Sequence, residues 1–527
     1  MIPAHRTQNW VIRKPSASGR RGVVVSQSGD AAAAGVAILD AGGTAADAAV
    51  ATALALAASE PWNSGLGGIG FALIHMSGQP RATVIDFGPR APANLTPDRF
   101  HLTGRTGADL FAWPEVEGDA NVHGPLSFVI PSAVSGYRHL HEQYGRLPLA
   151  EVAAPAIALA RRGLPQDWFT TLKVGSAASI LRRYAESARI YLPDGLPPMA
   201  PAQGVPRFMA LGHLADTLER LATAGWADFY TGDLAASLLH DVAAMGGVLD
   251  AADLAGCIAS AGPAQEIAWP TRRRPAAVLQ VAPGLTAGPT LADIVARLPP
   301  ADAPDANWFT ALAAILRGAY ARRLAGDAPE PVGAESCTSH LTVCDADGTM
   351  VSMTTTLLSS MGSRVVLPGT GVLMNNGVMW FDPRPGMPNA IAPGARPLCN
   401  MCPVILRDGD HPVLAAGASG GRRIVAAVTQ MLAFTHGFGM DPATAAHHPR
   451  IDVSGSDTVT ADDRLGADVL DALRATGPVD VVEHVVLPVN FACPNLIAIE
   501  DGVRTGISDV MSPWSAALAQ PERPPSP

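Results

Sequence analysis

The spacing of apolar and polar residues predicts two helices near the start of the chain. Residues 31–41 (AAAAGVAILDA) have helical spacing and are followed by a glycine pair that ends the helix. Thr44 then caps a second helix, and Asp47 stands three residues later, where it can complete a capping box. The apolar run from Ala45 to Ala58 is too short to span a bilayer, so a buried helix is expected.

Strands are predicted next to these helices and again in the last third of the chain. A glycine turn from Gly65 to Gly70 leads into two strand-like runs, Phe71–Met76 and Thr83–Phe87. Residues 131–330 are alanine-rich and mostly helix-like, with Pro/Gly loops between the helical stretches, and from about residue 335 the pattern becomes strand, turn and strand. Helices before and after strand-rich blocks indicate a layered α/β arrangement.

The segment between these two parts, residues 327–337 (DAPEPVGAESC), has the composition of an exposed linker. It is polar and contains proline, and exposed segments of this kind are where a chain can be cut.

Composition limits the classes of function. Of the 527 residues, 48% are apolar and 16% are charged, which supports a large core rather than disorder. A formal net charge of −10 provides no surplus of positive charge for nucleic acid. The first residues are basic but lack an apolar run after them, and six cysteines do not make a disulfide framework. We therefore expect a cytoplasmic protein without a nucleic-acid or membrane partner.

The candidate chemistry lies in a predicted hairpin over residues 338–358 (TSHLTVCDADGTMVSMTTTLL). The central DADG favours a three-residue loop with Gly348 in the left-handed conformation, so that Asp345 faces the residue after the loop. Counting outward places Thr338 opposite Thr356, with their hydroxyls side by side. A threonine hydroxyl is a weak nucleophile until a base assists it, and cleavage before Thr338 would supply that base as an α-amine.

The threonines of this segment also have an ordinary explanation, because β-branched residues favour strands. That explanation suits each of Thr338, Thr342, Thr354, Thr355 and Thr356. The hairpin alone does not distinguish a nucleophile from strand threonines.

Longer motifs make the chain resemble the gamma-glutamyltransferases. The hairpin is similar to the segment that opens their small subunit, and GTGVLMNN (369–376), PGARPLCNMCPVI (393–405) and GASGGRRI (417–424) follow in the family's order. The first half matches in DAGGTAADAAVATALALAASEPWNSGLGGIGFALIH (40–75) and DFGPRAPA (86–93). The resemblance covers most of the chain.

This resemblance implies the four-layer αββα fold of the N-terminal-nucleophile hydrolases. It also implies a precursor that cuts itself between Cys337 and Thr338. A large subunit, 1–337, and a small subunit, 338–527, would then stay together and form the fold jointly.

The same resemblance implies the roles of individual residues. Thr338 is implied as the nucleophile, Thr356 as the partner of its hydroxyl, and Gly420-Gly421 as backbone donors to the oxyanion. A glycine pair suits that role because no side chain keeps the backbone away from the developing charge. The implied reaction transfers the acyl group of a small amide to water or to an amine, and we expect no metal and no cofactor.

Two short patterns favour other chemistries. Residues 65–70 (GLGGIG) fit the dinucleotide motif G-x-G-x-x-G, but a helix is predicted before them and a strand after them, the reverse of what that motif requires. Residues 417–421 (GASGG) fit the G-x-S-x-G nucleophile elbow. A serine hydrolase therefore stays open as an alternative. Its residues would be Ser419 as nucleophile, His447 or His448 as base, and Asp441 as acid.

Three further side chains have competing interpretations. Cys399 and Cys402 have redox or metal spacing, but no second Cys/His pair accompanies them, so two buried thiols are expected. His340 is predicted on the same strand face as Thr338, either as a base or as a structural histidine.

The chain departs from the family where an α-amino acid would be held. The family uses an arginine in D-F-R-E-x-A-P, an asparagine after the hydroxyl partner, an aspartate after the N-N pair, and two serines. In their places this chain has Gly88, Leu358, Trp380 and Cys399-Asn400. A buried ammonium group would lack its counter-charge here, which is costly.

We call the four positions Gly88, Leu358, Trp380 and Cys399-Asn400, where the family would hold the α-amino acid, the clamp positions. Because the nucleophile is retained and the clamp positions are altered, we predict the same acyl-enzyme chemistry on a different acyl group. Cephalosporin acylases that remove a glutaryl chain resemble the gamma-glutamyltransferases and need no amine recognition. Leu358 and Trp380 suit a methylene chain or ring, and Arg90 or Arg364 could hold a carboxylate at its end. Two alternatives stay open: a gamma-glutamyl enzyme with its clamp elsewhere, and an uncleaved relative that only binds.

Overall fold

A computed structural model describes residues 12–107, 111–324, 336–454, 457–510 and 512–522. The predicted linker at 327–337 lies outside the described residues except for its last two positions. The chain also forms single turns of 3-10 helix that are not numbered below.

The α-helices, numbered in chain order, are α1 (Gly29–Asp40), α2 (Ala45–Ser59), α3 (Ala133–Tyr144), α4 (Leu149–Arg162), α5 (Trp168–Leu181), α6 (Ala185–Tyr191), α7 (Leu214–Ala224), α8 (Asp228–Thr231), α9 (Asp233–Ala244), α10 (Ala251–Ala255), α11 (Gly288–Val295), α12 (Ala306–Arg323), α13 (Ile424–Leu432), α14 (Pro442–His447) and α15 (Ala467–Arg474).

The strands are β1 (Ala17–Gly19), β2 (Val23–Ser26), β3 (Ile69–His75), β4 (Thr83–Phe87), β5 (Leu102–Thr106), β6 (Pro114–Val116), β7 (Leu164–Pro165), β8 (Phe208–Met209), β9 (Ser260–Pro263), β10 (Gln265–Ala268), β11 (Ala277–Val281), β12 (Ser336–Cys344), β13 (Met350–Ser359), β14 (Val404–Asp408), β15 (His411–Ser419), β16 (Ile451–Asp452), β17 (Val459–Asp462), β18 (Val479–Val482), β19 (Cys493–Glu500), β20 (Val503–Ser508) and β21 (Ala516–Ala519).

The first two helices form as their sequence predicts. Thr44 and Asp47 make both hydrogen bonds of the capping box at the start of α2. Every residue of α2 from Ala45 to Ala58 is buried, which explains why this helix has no polar face. Within the described ranges, none of the helices has both the length and the apolar composition that a membrane span requires.

Two seven-stranded sheets form the centre of the molecule. The first has the order β21-β2-β12-β13-β3-β4-β9, and the second has the order β1-β20-β19-β15-β14-β11-β10. One apolar cluster joins residues of α1 to α10 with the first sheet, a second joins residues of α11 to α15 with the second sheet, and a third lies between the sheets. This arrangement confirms the predicted four-layer αββα fold.

The predicted hairpin is the pair β12–β13 at the middle of the first sheet. The backbone N–H of Asp345 donates to the carbonyl oxygen of Thr349 over 3.1 Å, and Gly348 has a φ of 85°, so the three-residue loop is confirmed. The register is regular from Cys344 back to Ser339 and then shifts before Cys337. Thr338 lies at this irregularity.

The glycine run at 65–70 connects α2 to β3, so the dinucleotide interpretation is wrong. A side chain at Gly67 would place its Cβ 2.3 Å from the carbonyl oxygen of Leu373, and one at Gly70 would place it 2.3 Å from that of Thr354. These glycines let the backbone pack closely against neighbouring segments.

Candidate active site

Three oxygen atoms meet at the peptide bond between Cys337 and Thr338. Thr338 Oγ1 lies 2.7 Å from the carbonyl oxygen of Cys337 and 3.3 Å from Thr356 Oγ1. The Thr356 hydroxyl donates to the same carbonyl oxygen over 2.6 Å and accepts from the N–H of Leu358 over 2.8 Å. The two hydroxyls therefore lie side by side, as the hairpin predicts.

The surroundings of this group are almost closed to solvent. Thr338 is 6% exposed, Thr356 is fully buried, and every other residue of β13 is at most 4% exposed. Because water is largely excluded, hydrogen bonds to the Cys337 carbonyl polarise it more strongly than they would at the surface.

The glycine pair Gly420-Gly421 follows β15 and begins the turn that enters α13. Both residues have positive φ, 136° and 60°, and a Cβ at Gly420 would lie 2.7 Å from the Cα of Ala492. The turn Gly421–Arg423 comes within 8 Å of β12, measured between Cα atoms. Backbone N–H groups at such a helix start lack helical partners and suit an anion.

Gln27 links the end of β15 to β12. Its amide nitrogen donates to Ser419 Oγ, and its amide oxygen accepts from the N–H of His340 over 3.0 Å. This bridge fixes the glycine turn relative to the start of the hairpin.

The serine-hydrolase alternative lacks its triad. His447 donates from Nδ1 to the carbonyl of Ala443 and accepts at Nε2 from the N–H of Lys14. His448 bonds the carbonyl of Pro449, and Asp441 caps α14 by accepting from Thr444. The bonds described for Ser419 include none to these three residues, so the structure does not assemble the serine mechanism.

His340 is a structural histidine. It is fully buried, and its ring nitrogens lie 2.9 Å from Thr354 Oγ1 and 3.3 Å from Thr342 Oγ1. Burial lowers its pKa to about 3, so the ring is neutral.

Cys399 and Cys402 are the buried free thiols that the sequence predicts. Burial raises the pKa of Cys399 to about 11 and that of Cys402 to about 12. Among the described residues, no group of three or more His, Cys, Asp or Glu side chains is arranged to hold a metal ion.

Three of the altered clamp positions share one apolar environment. Leu358, Trp380 and Cys399 are 3%, 6% and 1% exposed, and all belong to the cluster between the two sheets. Leu358 has a φ of 87°, in the left-handed region that asparagine adopts more readily than leucine. The backbone at position 358 therefore has a conformation that suits asparagine, the residue that the family resemblance implies there, better than leucine.

At the fourth position, Gly88, side chains from distant parts of the sequence occupy the space that a side chain would need. A Cβ at Gly88 would lie 2.4 Å from the Phe71 ring and 2.7 Å from a guanidinium nitrogen of Arg396. Arg396 donates to both carboxylate oxygens of Asp86, over 2.6 Å and 2.9 Å. An arginine at position 88 would have to displace this ion pair.

The other predicted binding residues are placed as follows. Asn400 Oδ1 accepts from Arg323, which also donates to the carbonyl of Cys399 over 2.5 Å. Arg364 donates to Ser359 Oγ over 2.9 Å and to the carbonyl of Gly362 over 2.6 Å, so it braces the loop after β13. Arg90 is exposed.

One buried polar group near the hairpin was not predicted from the sequence. Glu60 is 3% exposed, and its Oε2 accepts from Ser339 Oγ over 3.1 Å. Ser64 Oγ donates to the same Ser339 oxygen over 2.9 Å. The available signal was an acidic residue directly after the apolar run of α2.

The chain is similar in sequence to two groups of named enzymes and similar in fold to a solved structure. The chain matches the family model described as Gamma-glutamyltranspeptidase over residues 31–323 and 319–510. It is 31% identical to an acylase ACY 1 proenzyme of Pseudomonas sp. (strain SE83), covering 90% of each chain. It is 27% identical to a glutathione hydrolase proenzyme of Bacillus subtilis (strain 168), covering 93% of this chain and 91% of the relative.

A solved cephalosporin acylase from Bacillus halodurans has the same fold, with a TM-score of 0.81 over 98% of this chain and 99% of that one, at 24% identity. The family match spans most of the described residues and both halves of the site. The chain is therefore an enzyme of the gamma-glutamyltranspeptidase family.

Proposed function

We propose that this chain is a precursor that cuts itself between Cys337 and Thr338, and that the newly exposed Thr338 is the nucleophile of an amidohydrolase. The fragments 1–337 and 338–527 would remain associated. The observation that carries the proposal is the contact of the Thr338 and Thr356 hydroxyls with the carbonyl oxygen of Cys337.

In this proposal, self-cleavage is an acyl shift from nitrogen to oxygen. Thr338 Oγ1 attacks the carbonyl carbon of Cys337, the carbon–nitrogen bond breaks, and the hydroxyl proton passes to the Thr338 nitrogen. Thr356 donates to the carbonyl oxygen as negative charge develops there. Water then hydrolyses the ester, which leaves a carboxylate on Cys337 and a free amine and hydroxyl on Thr338.

Turnover would repeat the same attack on a substrate amide. The α-amine of Thr338 accepts the hydroxyl proton and returns it to the leaving amine, while Thr356 orients the hydroxyl. Gly420 and Gly421 would donate backbone hydrogen bonds to the oxyanion. Water, or an amine acceptor, then releases the acyl group.

The acyl group is proposed to lack an α-ammonium, as a glutaryl chain does. Leu358 and Trp380 are buried in the apolar cluster between the sheets, and an ammonium group placed beside them would lose its hydration without gaining a carboxylate partner from either side chain. The acylase relative at 31% identity supports this choice. Arg90, which is exposed, or Arg364 would pair with the distal carboxylate.

A gamma-glutamyl substrate is the second candidate. It is favoured by the glutathione hydrolase relative, which the chain matches over nearly its whole length. Under this alternative, polar groups outside the four altered positions would hold the α-amino acid.

The test of the proposed nucleophile compares wild type, Thr338→Ala and Ser419→Ala. Denaturing gels and N-terminal analysis should show two fragments in wild type, the smaller one beginning Thr-Ser-His. Thr338→Ala should remain one band and be inactive, whereas Ser419→Ala should be cleaved and lose activity only moderately. Cleavage at another residue, or processing of Thr338→Ala, would refute the assignment.

A further inference from the structure

The turn Glu60–Ser64, between α2 and β3, contacts β12 and β13 at the residues that follow Thr338 and Thr356 in the sequence. The carbonyl of Asn63 accepts from the N–H of Leu357 over 2.9 Å, next to Thr356. On the other strand, the carboxylate of Glu60 accepts from Ser339, next to Thr338. One turn therefore fixes the distance between the two strands at the place where their hydroxyls meet.

Ser339 is the first residue after the register shift that contains Thr338. Its hydroxyl donates to Glu60 Oε2 over 3.1 Å and accepts from Ser64 over 2.9 Å. Ser339 is fully buried, and Glu60 and Ser64 are 3% and 1% exposed, so water does not replace these bonds. The two hydrogen bonds run in one direction: Ser64 donates to Ser339, and Ser339 donates to Glu60. Glu60 is therefore the acceptor at the end of this series of hydrogen bonds.

We infer that Glu60 is a positioning residue for Thr338: its carboxylate holds Ser339, and through it the irregular strand segment, in the geometry that self-cleavage requires. This inference rests on the proposed function of Thr338. A small displacement of the attacking oxygen costs much of the rate of an intramolecular attack, because that attack depends on alignment. Glu60 does not touch the reacting atoms.

The charge state of Glu60 changes near neutral pH. Burial raises its pKa to about 7, opposed by hydrogen bonds from Asn63 and Ser339 and by the ammonium of Lys173. The titratable groups that interact electrostatically with Glu60 are Lys173 and Cys493, and the Cys493 thiol is neutral because burial raises its pKa to about 12. Protonated Glu60 can donate to Ser339 instead of accepting, which reverses the hydrogen-bond chain.

The experiment follows self-cleavage of the full-length chain with time, by denaturing gel and intact mass, from about pH 5.5 to about pH 8.5. Wild type should be cleaved faster as the pH rises, with a midpoint near the pKa of about 7 given above. Glu60→Gln should be cleaved about tenfold more slowly or worse at the upper end, and should lose this inflection. Glu151→Gln, an exposed glutamate on α4, is the matched control and should behave as wild type.

A second pair keeps the test decisive if Glu60→Gln folds poorly. Ser339→Ala removes the donor and should slow cleavage, whereas Ser339→Thr keeps the hydroxyl and should restore most of the rate. Wild-type rates and an unchanged inflection in Glu60→Gln, or equal rates in the two Ser339 variants, would overturn the inference. Absence of cleavage before Thr338 in wild type would instead overturn the proposed function.

Discussion

The Thr356 hydroxyl donates a 2.6 Å hydrogen bond to the carbonyl oxygen of Cys337, the carbonyl that Thr338 attacks in the proposed self-cleavage. This bond strengthens as the oxygen becomes negative. Thr356→Ala should therefore slow self-cleavage by about 100-fold, the usual effect of removing one oxyanion donor. Thr356→Ser should retain much of the rate, and Thr349→Ala, at the loop end of the hairpin, is the control. A cleavage time course on freshly purified precursor measures all three.

Leu358 should tolerate substitution by asparagine better than Leu357 does. Leu357 and Leu358 are both buried, at 0% and 3% exposure, but only Leu358 has a positive φ. The left-handed conformation costs a leucine about 1–2 kcal/mol, and asparagine recovers part of this. On an uncleaved Thr338→Ala background, Leu358→Asn should cost about 1 kcal/mol less unfolding free energy than Leu357→Asn. Denaturant unfolding of the two variants gives the comparison; equal losses would contradict it.

Local signals in the sequence predicted much of the fold. The capping box at Thr44 and the DADG loop each depend on a few neighbouring residues, so their outcomes could be derived from spacing alone. The loop also fixed the hairpin register, which brought Thr338 and Thr356 together. The family resemblance supplied the layer order, which no local pattern determines.

The features that were missed depend on contacts between distant residues. Ser339 and Glu60 are 279 positions apart, and Arg396 and Asp86 are 310 apart. Neither pair leaves a periodic signal. The register shift at Thr338 was likewise not predicted from the sequence.

Burial of Glu60 should make stability depend on pH. Its pKa rises from 4.5 to about 7 on folding, so the folded chain keeps a proton that the unfolded chain has lost. The free energy of unfolding therefore falls as the pH rises from about 4.5 to about 7. The pKa shift corresponds to a loss of about 3 kcal/mol of stability across this range. Glu60→Gln removes the charge, so on the Thr338→Ala background it should raise the Tm at about pH 8 by a few degrees and change it little near pH 4.5. An equal effect at both pH values would show that Glu60 does not titrate in this range.

Substrate choice should follow from the apolar surface at Leu358 and Trp380. A gamma-glutamyl anilide carries an ammonium group that these side chains cannot pair, whereas a glutaryl anilide carries only the carboxylate. If about 1.4 kcal/mol of that desolvation cost persists in the transition state, kcat/KM for the glutaryl compound should be about tenfold higher. Initial rates on the matched anilides near neutral pH give this ratio for wild type.

The double variant Leu358→Asn with Trp380→Asp provides the reverse test. It places an amide at the left-handed position 358 and a carboxylate at position 380, so the ratio should shift toward the gamma-glutamyl anilide. Gly88 is left unchanged, because an arginine there would collide with Phe71 and Arg396. A matched control is Leu357→Asn, which adds an amide at the neighbouring position and should leave the ratio unchanged. If wild type prefers the gamma-glutamyl anilide, the ammonium group has a partner outside these positions and the substrate proposal fails. The Thr338 mechanism would still stand, because the acyl-enzyme steps do not depend on which acyl group is bound.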